Sequence, residues 1–204
     1  MQNYSHPFVK YVRHECRRYG CKLKLIYKSE LVDDDNSIYS GHFLDDPLEL
    51  VVATRVLYTT FLSTLVHEYS HMEQWRDKSK YYVQGYRGWD SWDIMNRWLQ
   101  GHEFKRTTIN RSINVIRNCE VDCERRAIKN IKKFNIPVNI KSYCQKANVY
   151  IYFHNYIKKT RVWDCKKEPN DCPQILKAMP DNLDGDYSKM PRKIMRLYKK
   201  YVRP

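Results

Sequence analysis

His67 and His71 stand four residues apart, with Glu68 beside the first, in the run Thr64-Leu65-Val66-His67-Glu68-Tyr69-Ser70-His71-Met72. On a helix, positions i and i+4 lie one above the other on the same face. Two imidazoles placed that way can bind a single metal ion, and the neighbouring carboxylate can take a proton from a water that the ion activates. Around the motif, Leu57, Phe61, Leu62, Leu65, Tyr69, Met72 and Trp75 keep a helical period. No Pro or Gly interrupts Thr54 to Trp75. The pattern predicts one amphipathic helix of about five turns.

Two histidines do not complete a metal site, and a second helix offers more. Ile109, Ile113, Ile116, Glu120, Cys123, Ala127, Ile131 and Phe134 follow one another at steps of three and four, which predicts a buried face on a helix from about Thr108 to Phe134. Glu120 stands in the middle of that face. A carboxylate there is costly unless it is protonated or meets a cation, and an ion held by His67 and His71 is such a cation. Glu124, four residues on, can accept the outer N–H of a ligand histidine and so fix its tautomer. His102 is a second candidate for the third ligand. Cys119 and Cys123 would instead close a four-ligand structural site with the two histidines. Cys165 and Cys172 could contribute to a separate structural zinc site.

Other elements must position these groups. Ser5-His6-Pro7 reads as a helix start, with Ser5 as cap, and Gly20 as its stop. Cys21 to Tyr27 alternates as a half-buried strand does, and Asp33 to Ser37 reads as a turn. Ile38 to Leu44 and Leu48 to Ala53 read as two strands joined through Asp45-Asp46-Pro47. Gln84 to Asp90 is loop-like, and a short helical piece runs through Trp92, Met95 and Leu99. After Ile136-Pro137, Ser142 to Lys158 reads as a helix carrying Tyr150 and His154 one turn apart. A short basic helix from about Lys189 to Tyr201 ends the chain.

The composition sets bounds. With 204 residues, 42% of them hydrophobic, the chain can bury one sizeable core. The expected organisation is a single domain over 1–163, with 164–204 as a basic tail packed on it. No apolar run is long enough for a membrane span and the start lacks a secretory layout, so the expectation is a cytoplasmic protein that meets no membrane. The seven cysteines are odd in number and form no CxxC pair, as expected of free thiols. Tyr occurs 17 times and Ala four, which suggests an AT-rich genome such as that of a phage or a low-GC bacterium. Net charge is uneven: residues 1–104 carry 13 Lys/Arg against 14 Asp/Glu, and residues 105–204 carry 24 against 9. An anionic partner such as nucleic acid is expected, if anywhere, on the C-terminal half.

The motif and its flanks resemble the active-site helix of the zincin metallopeptidases, with Thr64 as the small or β-branched residue three positions before the first His. Glu73 departs from the apolar residue usual in that family. Asn118 to Ala127 resembles the Glu-x-x-x-Asp signature of the gluzincins, with Glu124 in place of Asp. The resemblance implies an α+β fold, in which an N-terminal helix and a small mixed sheet precede the active-site helix and a helical C-terminal half. It implies a zinc-dependent peptidase acting on protein or peptide substrates, with His67, His71 and Glu120 as zinc ligands, Glu68 as general base and Glu124 behind a ligand. It further implies a Tyr or His opposite the metal, for which His154 and Tyr150 are the candidates. By the same resemblance the strand before the active-site helix, Leu48 to Ala53, lies at the sheet edge and pairs with substrate. Two alternatives stand beside this reading: a nucleic-acid-binding protein on an inactive zincin scaffold, and a SprT-like protease acting on DNA-bound proteins.

Overall fold

A computed structural model describes residues 4–32, 38–86, 90–163 and 168–202, except for the side chain of Tyr86. The chain is mixed α and β, mostly helical, with a small sheet. It divides into two compact units, Met1–Asp77 with Arg125–Val138, and Lys78–Glu124 with Asn139–Pro204. Residues 139–204 fall in one unit across the 163/164 boundary drawn from composition.

The first unit opens with α1 (Pro7–Arg18), where Pro7 supplies the preset φ of a first helical residue. The cap is His6 rather than Ser5, its Nδ1 accepting from the Phe8 N–H at 3.1 Å. Phe8, Val9 and Val12 are fully buried, and Gly20 leaves the helix at φ +70°, a region that glycine enters without penalty. Strand β1 (Lys22–Ile26) follows. The residues read as one strand over 38–44 form two: β3 (Ile38–Tyr39) pairs with β2 (Leu31–Val32), and β4 (Gly41–Asp45) joins the larger sheet. The change of partner falls at Ser40, whose carbonyl accepts from Ala53 N–H at 2.8 Å. The turn expected over 33–37 lies outside the described residues.

β5 (Leu48–Ala53) is the centre of the three-stranded sheet, whose order is β1-β5-β4. It runs parallel to β1 from Lys22↔Glu49 to Ile26↔Ala53, and antiparallel to β4 from Gly41↔Val52 to Asp45↔Leu48. The expectation that Leu48 to Ala53 forms an edge is therefore corrected. Both edges of β5 are paired and both its faces are covered: Val51 and Ala53 pack with Leu31 in one buried cluster, and Leu50 and Val52 are fully buried as well. The edges are β1 and β4.

Helix α2 (Tyr58–Arg76) begins directly after Leu57, the first residue of the apolar stripe, while Thr54 is still tied to β1 by its N–H and its hydroxyl, both donating to Ile26 O. Phe61, Leu62, Leu65, Val66 and Tyr69 are fully buried, each large apolar side chain contributing about 1.5–3 kcal/mol. Tyr69 meets Phe8 and Tyr11 edge-on at 5.7 Å. At the far end Arg76 pairs with Glu15 at 3.2 Å and Asp77 at 2.8 Å.

Helix α5 (Arg106–Lys133) is unbroken through the division of the chain. Its last two turns belong to the first unit, where Arg126 pairs with Asp77 at 2.7 Å and Asn130 donates to Glu73 Oε2 at 2.8 Å. Phe134, just beyond, packs with its ring tilted against Phe8 at 5.3 Å and Tyr11 at 4.8 Å. Glu73, the departure noted in the sequence, is thus partnered by Asn130, and burial pushes its carboxyl above the usual range.

In the second unit, α3 (Lys80–Tyr86) makes Gln84, Gly85 and Tyr86 helical where a loop was expected; residues 87–89 lie outside the description. Next come α4 (Ser91–Leu99), the first part of α5, and α6 (Ile140–Thr160), capped by the Asn139 side chain on Ser142 N–H. A 3-10 turn (Pro169–Asp171), α7 (Pro173–Ala178) and α8 (Arg192–Tyr201) complete it. Tyr198 donates to Val149 O at 2.6 Å and Tyr156 to Val202 O at 2.8 Å, so the last helix is fastened to α6 by buried phenols. Among the described residues no helix is long and apolar enough to cross a membrane.

Candidate metal centre

The helical period brings His67 and His71 together on α2 as their spacing requires. Their ring centroids are 4.8 Å apart and the rings are nearly perpendicular, at 86°. His67 is half-buried and His71 buried. Burial, reinforced by the His67 charge, pushes His71 down to about 3, so its imidazole is neutral at neutral pH and carries a lone pair. Nδ1 of His71 lies 2.9 Å from Gln74 Oε1. An amide oxygen only accepts, so Nδ1–H is the donor and Nε2 is left as the coordinating atom. Gln74, one turn along α2 and fully buried, thus does for His71 what the sequence reading assigned to Glu124. Its signal was available as a polar residue at i+3 on a buried helix face.

A third candidate ligand atom lies on α5. The coordinating atoms of His67, His71 and Cys123 all lie within 4.8 Å of one another. Cys123 is fully buried and stands one turn before Arg126, whose ion pair with Asp77 ties α5 to the end of α2. Two imidazole nitrogens and a thiolate are a donor set that suits zinc, with bonds of about 2.0–2.3 Å. A thiol there is expected to be deprotonated by a bound ion. Among the described residues this is the group of His, Cys, Asp and Glu that the structure assembles for a metal.

Glu120, the third ligand expected from the sequence, is buried on α5 at 3% exposure but is not a member of that group. Cys123 follows it by three residues on the same stripe; the sequence offered it as a ligand only together with Cys119, as part of a closed four-ligand site, and of that pair the group takes Cys123 alone. Glu124 is likewise buried, and Cys119 too, neither within the group. His102 is exposed, and its carbonyl accepts from Arg161. Cys165 lies outside the described residues, and Cys172 is buried in the second unit.

Glu68 is buried at 8% exposure and sits against the edge strand. A methyl group added at Gly41 of β4 would stand 3.1 Å from Glu68 Cγ and 2.8 Å from Thr64 Cγ2. It is the missing side chain of Gly41 that lets the strand backbone lie directly on the Thr64–Glu68 face of α2. The sequence shows this glycine inside a strand pattern but not what approaches it.

His154 and Tyr150 lie on α6 in the second unit. His154 is fully buried, with its ring edge-on to Tyr150 at 4.9 Å and Nδ1 3.1 Å from Tyr150 O. The carbonyl makes Nδ1–H the donor and leaves Nε2 as an acceptor. Burial pushes His154 down to about 4. At neutral pH its ring accepts hydrogen bonds at Nε2 and does not donate there.

No family model matches the chain, and neither the curated proteins nor the solved structures compared with it include a match.

Proposed function

We propose that the protein is a zinc-dependent metallopeptidase with a zincin-like arrangement of sheet and active-site helix. The observation that carries the reading is the His67–His71–Cys123 group with Glu68 adjoining the first histidine. His67, His71 and Cys123 would hold the ion, with Glu120, one turn away on α5, the competing third ligand. Bound zinc supplies Lewis-acid chemistry, polarising a scissile carbonyl and making water acidic near neutral pH. Glu68 takes the proton from the attacking water and hands it to the leaving amine. Gln74 keeps His71 in the tautomer that coordinates.

The edge strand for substrate in this reading is β4 rather than β5. An extended peptide that adds to the outer side of β4 makes main-chain hydrogen bonds and passes Gly41, next to Glu68. The test is elemental analysis of the purified protein together with hydrolysis of a denatured protein substrate. About one zinc per chain, and activity lost on chelation and restored by zinc, is the expected outcome. Protein that takes up no zinc on reconstitution would end the proposal.

A further inference from the structure

The face of α8 turned away from α6 carries Arg192, Lys193, Arg196, Lys199 and Lys200, all exposed. At 100° per residue these five fall within an arc of about 120° and along about 12 Å of helix axis. Among the described residues none of them forms an ion pair; Lys200 contacts only the neighbouring Tyr201 ring, at 5.0 Å. From residue 187 to the end, the sequence has seven Lys/Arg and no Asp/Glu. The carboxylate that precedes the helix most closely, Asp186, is engaged with Ser188 through both N–H and hydroxyl at 2.8 Å. Five unneutralised cations in one row repel one another, and a polyanion relieves that repulsion by releasing its own counterions.

We infer that this face of α8 docks on the phosphate backbone of nucleic acid without reading its sequence. The other common polyanion, an anionic membrane surface, is bound by basic helices that also insert an apolar face. Here the apolar face is used up: Ile194 and Met195 are buried and Tyr198 is fully buried, with its hydroxyl on Val149 O. What remains outside is charge without an apolar side to insert. A duplex presents one charge per ~1.7 Å of axis, so a 12 Å row faces about seven phosphates, enough to engage all five side chains. This inference is independent of the metal centre.

The test is fluorescence anisotropy of the full chain with a labelled DNA duplex of arbitrary sequence, across about 50–200 mM NaCl. Binding should weaken with salt at a log–log slope of about −4.5, as five phosphate contacts require. Arg192→Gln/Arg196→Gln/Lys200→Gln alters only exposed positions, so the fold should persist, confirmed by an unchanged melting temperature. It should weaken binding at least about tenfold and flatten the slope by about 2.7. Removing the same charge elsewhere, with Lys129→Gln/Lys132→Gln/Lys146→Gln, should do much less. Equal losses in the two variants would overturn the inference, because they would assign the binding to net charge. Absence of binding at the lowest salt would overturn it as well, as would binding to phosphatidylserine vesicles in preference to DNA.

Discussion

The hydrogen bond between His71 Nδ1 and Gln74 Oε1, 2.9 Å long and buried, leaves Nε2 as the ring nitrogen of His71 that could meet a metal. Gln74→Leu keeps the volume and removes the acceptor. It should weaken zinc affinity about 10- to 100-fold, measured by competition with a chromophoric chelator. Affinity equal to wild type would mean that the tautomer is held by something else.

Cys123 and Glu120 make opposite forecasts for metal content. If the geometric group is the site, Cys123→Ala loses most of its zinc on dialysis and Glu120→Gln keeps it. The reverse result would restore the carboxylate as third ligand. Cobalt substitution gives an independent reading, since a thiolate ligand adds a charge-transfer band that Cys123→Ser would abolish.

Glu68 is assigned to proton transfer and not to metal binding. Glu68→Gln should retain zinc and lose about 10²–10⁴-fold in kcat, the usual range for a general base. Loss of zinc together with activity would contradict that division of roles.

Gly41→Ala places a methyl 2.9 Å from Val51 O and 2.8 Å from Thr64 Cγ2. The first contact is backbone and cannot swing away, so the strand must shift. The cost should be about 1–3 kcal/mol, seen as a lower midpoint in urea unfolding.

His154 gives a pH dependence of stability. Its folded value, about 4, lies below the ordinary 6.5 because burial disfavours the charged ring, and the Arg117 charge adds to this. Between those two values the unfolded chain binds more protons than the folded one, so stability rises with pH there and falls as pH drops from about 6.5 toward 4. His154→Phe should lose less stability than wild type over that interval, measured by thermal unfolding of chelated protein at matched ionic strength. Parallel curves would assign the acid sensitivity to other groups.

The sequence by itself determined what is local. Helical period alone places His67 over His71, leaves Glu68 alongside, and makes one buried face of Ile109 through Ile131; these follow from 3.6 residues per turn and need no other part of the chain. The positions of Pro7 and Gly20 bound α1 for equally local reasons. Strand order is different. Nothing in the alternation of Leu48 to Ala53 says that β1 and β4 will flank it, and only the assembled sheet puts β4 at the edge. The third ligand is also a tertiary matter. Glu120 and Cys123 share one stripe, three residues apart, so periodicity cannot choose between them. What the folded chain adds is the group of His67, His71 and Cys123, on a helix whose last turns are held to the end of α2 where Arg126 meets Asp77 and Asn130 meets Glu73, contacts 49 and 57 residues apart in the chain.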